Sequence, residues 1–212
     1  RGPDSSGVWL DEIHTDIDID EFEDGNDYEI AFGHNLLSIY DLNDRISKAQ
    51  PIAKDNLVLV FNGELYNFHT MRNFLKKVGV EDEITSDSEI LIHLIDFYAK
   101  KLDLLKAVES AIRLLDGDYA FAVWDGDNLA IAREPLGVKP LFYGENDEVK
   151  GFASTRLALN EVGITDIITL KPEHILYNGE DIAPAQPIYE KIFEGDVAKI
   201  NKMLRLSVLK RV

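Results

Sequence analysis

Two short stretches of this 212-residue chain carry residue types that could do chemistry together. Asn62-Gly63-Glu64 follows an apolar run at 57–61, and Asp87 sits within Ser86-Asp87-Ser88-Glu89. An Asn side-chain N–H and a Gly backbone N–H can converge on one point and stabilise an oxyanion. Glycine also lets a reacting carbonyl come close. The ordinary reading of Asn-Gly is a hairpin turn, because the pair supplies positive backbone dihedrals, and the dipeptide alone favours it. Asp87 could hold a ligand ammonium group, or merely sit at the positive end of a helix dipole. The chain has no cysteine, which excludes a disulfide scaffold, a Cys-based zinc site and a thiol nucleophile within these residues.

Other candidates are weaker. Asp16, Asp18 and Asp20 alternate as in a calcium loop, but the sixth position is Glu21 and the twelfth is Asp27. A calcium loop wants glycine and glutamate there, so a solvated loop is the better reading. The five histidines (14, 34, 69, 93 and 174) show no metal-ligand spacing, and no metal site is expected. No Gly-rich phosphate loop is present in these residues.

These residues need elements to position them. Strand-like runs at 7–10, 30–34, 36–40 and 57–61 alternate with acidic segments, of which 16–27 is the longest. The continuous apolar run at 57–61 suits a strand covered on both faces. Phe68, Met71, Leu75 and Val78 share a helical face. Ser86 and Glu89 form a capping box ahead of a buried stripe of Ile90, Leu91, Leu94, Phe97 and Tyr98. A third helix holds Leu104, Val108, Ala111, Ile112 and Leu115, with Gly117 as its expected stop. Strands return at 119–124, 129–133, 141–143 and 151–154, and Asp125-Gly126-Asp127 marks a hairpin. Hairpins on both sides of a helical block predict an α+β layered fold with antiparallel sheets.

Composition narrows the partners. A net charge of −17 argues against a general nucleic-acid surface and against anionic membranes. No apolar run is long enough to span a bilayer and no secretory signal opens the chain, so the cytoplasm is the expected location. Residues 183–187, Ala-Pro-Ala-Gln-Pro, read as a linker before a basic amphipathic helix at 197–212.

Taken in order, the motifs resemble one family. Arg1-Gly2-Pro3-Asp4, Gly7, Gly33-His34, Leu37-Ser38-Ile39, Gln50-Pro51 and Phe61-Asn62-Gly63-Glu64-Leu65-Tyr66-Asn67 are similar to the class II glutamine amidotransferase domain of asparagine synthetases. Ser86-Asp87-Ser88-Glu89, Asp116-Gly117-Asp118-Tyr119-Ala120-Phe121-Ala122, Ala132-Arg133-Glu134, Gly137-Val138-Lys139-Pro140-Leu141 and Ala153-Ser154 continue the series. The resemblance spans roughly nine-tenths of the chain in one unbroken order.

The resemblance implies a four-layer αββα sandwich of the N-terminal-nucleophile hydrolase type, here N-terminally incomplete. In that family an N-terminal Cys attacks the side-chain amide of glutamine through a thioester, and ammonia passes to an ATP-using domain that makes asparagine. Carried over by motif, Asn62 and Gly63 become the catalytic oxyanion-hole donors. Asp87 would hold the glutamine α-amino group, Glu64 would help position the substrate, and Leu37 and Ile39 would line it. Two positions depart. The Cys lies upstream of Arg-Gly-Pro-Asp in the family, and Leu36 stands where an Arg usually clamps the glutamine carboxylate.

The expected organisation is a glutaminase domain at 1–182, then at 183–212 a linker and the first helix of a synthetase domain. That second domain would be the partner, with ATP and magnesium bound there and no cofactor in this one. A homodimer is compatible with the pattern. The alternatives are an inactive docking or regulatory module, supported by Leu36, or an amidotransferase with another acceptor.

Overall fold

The computed structural model describes residues 2, 4–10, 12–15, 28–37, 49–184 and 196–209. The expected acidic excursion at 16–27, Ser38 and Ile39 therefore lie outside the described residues, as does most of the 183–187 linker.

A six-stranded sheet forms the centre, in the order β12-β11-β7-β6-β5-β4, and every neighbouring pair in it is antiparallel. Its strands are β4 (Ile52–Lys54), β5 (Leu57–Leu65), β6 (Gly117–Trp124), β7 (Leu129–Arg133), β11 (Ile175–Tyr177) and β12 (Glu180–Ile182). Against one face pack α1 (Phe68–Lys77), α2 (Asp87–Ala99) and α3 (Leu104–Ile112). Leu57, Leu59 and Phe61 point into that helical layer, while Val58 and Val60 point to the opposite face. An unbroken apolar run is what a strand buried on both sides requires.

The opposite face is covered by a second layer of short sheets. β1 (Ser5–Leu10) pairs antiparallel with β2 (Glu12–Thr15) and β3 (Phe32–Leu36). Trp9 and Phe32 from this sheet meet Val58, Val60, Ala120 and Ala122. Trp9 and Trp124 stand 5.0 Å apart between ring centres. β8 (Phe142–Glu145), β9 (Lys150–Ala153) and β10 (Ile168–Thr169) form a third sheet, against which α4 (Arg156–Glu161) packs. Helices, sheet, sheet and helix give the αββα layering. The last helix, α5 (Val197–Leu209), buries none of its residues against the rest.

Three local expectations need correction. The run at 30–34 is shifted to β3 at Phe32–Leu36, whose register is set by pairing with β1, and most of the run at 36–40 lies outside the described residues. Gly117 does not stop α3, which ends at Ile112; it opens β6 instead. A Cβ there would lie 2.3 Å from the Glu64 carbonyl oxygen, so close strand pairing is what demands glycine. Nor does Asn62-Gly63 turn the chain. β5 runs straight through it to Leu65, because β6 continues to pair with it as far as Gly117. Tertiary pairing overrides the turn preference of the dipeptide.

Candidate active site

The site grows from strand alternation. In an antiparallel strand the N–H and C=O of successive residues face opposite sides. The Phe61 N–H donates to Gln50 Oε1 at 2.6 Å, and the Leu65 N–H donates to Asp87 Oδ2 at 3.2 Å. Both therefore face away from β6. Gly63, between them, must do the same, and the Tyr119 carbonyl opposite it confirms this by accepting from Glu134 N–H on the β7 side. β4 stops at the level of Leu59, so the Gly63 N–H projects past the end of its neighbour. It has no partner among the described residues. Asn62 is exposed, and among the described residues nothing bonds its side-chain amide.

No side chain fits at position 63. A Cβ would sit 2.5 Å from the Asp118 carbonyl oxygen and 2.7 Å from Tyr119 Cβ. The same smallness leaves the N–H open to an approaching group.

Asp87 reaches this strand end from the first turn of α2. The predicted capping box is present: Ser86 Oγ accepts from Glu89 N–H, and Glu89 Oε2 accepts from Ser86 N–H at 2.8 Å. The same carboxylate oxygen also accepts from Thr85 N–H at 2.7 Å, so the turn that carries Asp87 is held from both sides. Behind it Ile90, Leu91 and Leu94 are fully buried. Burial pushes the Asp87 carboxyl up to about 6, and the nearby Glu64 carboxylate adds to the rise. The bond from Leu65 opposes both. A helix N-terminus ordinarily lowers an acid, so here desolvation wins over the dipole.

Along the end of β5 stand two N–H donors without an acceptor and a carboxylate without a counter-charge, among the described residues. An α-ammonium group is the natural complement of that carboxylate, and an oxyanion is the natural complement of the donors. Glu64 joins this cluster through its field at Asp87. Leu37, just past β3, is 62% exposed, and Ile39 lies outside the described residues. Leu36, half-buried, stands opposite Ser5 in the β1–β3 pair.

Two residues at the site escaped the sequence reading. Gln50 was noted only as part of a Gln-Pro motif, yet its side chain binds both backbone groups of Phe61. His34 on β3 is the other: the Phe61 backbone acts to raise its pKa, and burial outweighs that and lowers it. Its Nδ1 is buried without a partner among the described residues. The Gln-Pro and Gly-His spacing could have flagged both, but only pairing register tells which strand they serve. Elsewhere, a hollow lined by Ile112, Arg113, Ile175 and Pro184 has a volume of about 10 Å³, room for one water and no ligand.

Comparisons with known proteins identify the family and the fold. Residues 1–204 match the model described as a glutamine amidotransferase domain. A Methanocaldococcus jannaschii protein named as an asparagine synthetase (glutamine-hydrolyzing) is 32% identical, the match covering the whole of this chain and 42% of that protein. Asparagine synthetase (glutamine-hydrolyzing) 3 of Bacillus subtilis is 29% identical over 92% of this chain and 30% of its own length. The chain thus spans less than half the length of these relatives. Among solved structures, the glutamine phosphoribosylpyrophosphate amidotransferase of B. subtilis superposes with a TM-score of 0.71 at 22% identity. That match covers 90% of this chain and 44% of the other. On its sequence motifs, its layered fold and its family match, the chain belongs to the glutamine amidotransferase family, with the N-terminal-nucleophile fold.

Proposed function

We propose that this chain is the glutamine-hydrolysing domain of a glutamine-dependent asparagine synthetase. The observation that carries the reading is the open Gly63 N–H beside the exposed Asn62 amide, two strand residues before the Leu65–Asp87 contact. Glutamine would bind with its α-ammonium on ionised Asp87, its side-chain amide directed at Asn62 and Gly63, and Glu64 close by. As a nucleophile adds to that amide carbon, the oxygen takes up negative charge and the two donors stabilise it. Ammonia leaves for a second domain, where ATP and magnesium would activate aspartate. The printed names of the relatives above, and their greater length, support the acceptor and the second domain.

The attacking thiol is not among these residues, since the chain contains no cysteine. The reading requires it from sequence outside the 212 residues. Leu36 favours a second reading, an amidotransferase-like docking or regulatory module, because leucine offers a carboxylate no donor. Glutamate release by the full-length protein, together with its N-terminal sequence, separates the two. Glutamine-dependent glutamate release with an upstream Cys supports the enzyme. No release, and no such Cys, supports the module. In an active enzyme, Leu36→Arg lowers the KM for glutamine.

A further inference from the structure

Gln50 stands outside the residues assigned to catalysis, yet it is tied to the strand that carries them. β4 pairs with β5 through Ile52 and Leu59. Carrying that register two residues further sets Gln50 opposite Phe61. No main-chain ladder is formed there, and the side-chain amide takes its place. Its Nε2 donates to the Phe61 carbonyl at 2.9 Å, and the Phe61 N–H donates to its Oε1 at 2.6 Å. The side chain acts as a one-residue strand, and Gln50 is only 6% exposed.

We propose that Gln50 is a positioning residue for amide hydrolysis: by clamping both backbone groups of Phe61, it fixes the orientation of Asn62 and Gly63. The proposal rests on the glutamine-hydrolysing reading above. Its physical ground is that β5 loses main-chain pairing on this side beyond Leu59, just where its donors must hold their aim. Between Leu59 and the Leu65–Asp87 bond, the Gln50 pair anchors that edge two residues before Gly63. A misplacement of about 1 Å in a reacting group can cost about a hundredfold in rate. A merely structural glutamine would instead support folding and leave the rate of folded molecules alone.

The test is steady-state glutamate release by the full-length protein carrying Gln50→Met, which keeps the bulk and removes both hydrogen bonds. The kcat for glutamine is expected to fall about a hundredfold, the KM to stay within about twofold, and reaction from free ammonia to be unchanged. Gln50→Glu, which keeps the acceptor for the Phe61 N–H, should recover part of the loss, and it carries the test if the Met variant does not fold. Unchanged kcat in a folded variant overturns the proposal. So does an equal loss in the ammonia-driven reaction, since that marks general damage. A wild type that releases no glutamate overturns the underlying reading and this role with it, and shows itself before any variant is compared.

Discussion

The loop at 134–140 and the far end of β5 use similar ingredients and reach opposite results. Each follows a central strand, and each combines glycine with charged side chains. Around the loop the Arg133 and Glu134 side chains are both engaged. The Arg133 guanidinium donates to the carbonyls of Lys139 at 2.6 Å, Gly137 at 2.5 Å and Leu170 at 2.9 Å. The Glu134 carboxylate, 1% exposed, accepts from the N–H groups of Gly137 at 2.8 Å and Lys139 at 2.7 Å. At the end of β5, by contrast, the Gly63 N–H and the Asn62 amide are unused among the described residues, and Asp87 has a single backbone donor. Buried polar groups that satisfy one another are architecture. Polar groups held rigidly but left open are arranged for something that arrives later. The difference separates two motifs that both carry the family resemblance.

Breaking the closed network should have the largest effect. Glu134→Ala strands the N–H donors of Gly137 and Lys139, and should cost about 4 kcal/mol of stability in urea unfolding. A loss under about 1 kcal/mol would mean that the loop is not held by this pair. Gly63→Ala comes next, at about 3 kcal/mol, because the new methyl meets the Asp118 carbonyl oxygen at 2.5 Å as well as the side chains of Tyr119 and Phe61.

Asp87→Asn sharpens the contrast, because its sign is reversed. The folded-state pKa is raised to about 6. The ionised carboxylate therefore destabilises the fold, and wild-type stability falls as pH rises from the ordinary carboxylate range through about 6. The amide variant should be more stable than wild type at pH 7, on the order of 2 kcal/mol, and no more stable below pH ~4. It should bind glutamine at least tenfold more weakly. A variant less stable at pH 7, binding glutamine normally, would remove Asp87 from the site. Asp82 supplies the smallest effect. Lys54 and His93 both bond its exposed carboxylate and draw its pKa down to about 2. Its contribution is present above the ordinary carboxylate range and is lost as pH falls through about 2. Asp82→Asn should therefore resemble wild type in strong acid and differ slightly at neutral pH, less so in high salt.

Much of the architecture was legible because it rests on local rules. The capping box at Ser86 and Glu89 and the hairpin at Gly126 follow from side-chain and turn chemistry within a few residues. So does the two-sided burial of 57–61. What failed depends on partners distant in sequence. Asn62-Gly63 reads as a turn until Tyr119 and Ala120 are seen to hold it extended. Gly117 reads as a helix stop until the Glu64 carbonyl is seen to occupy its side-chain space. Gln50 carried no visible role at all, since its work is done eleven residues away on another strand. Residue type makes Asp87 a candidate for an ammonium group, and packing adds that it lacks a counter-charge among the described residues.

The most direct test of the central claim is a titration of the isotopically labelled protein with L-glutamine, followed through its backbone and Asn side-chain amide signals at pH 7 and pH 5. The predicted result is a set of shifts confined to residues 62–65 and the first turn of α2, with affinity about tenfold weaker at pH 5 as Asp87 takes up its proton. Shifts elsewhere in the protein, or an affinity indifferent to pH, would contradict it.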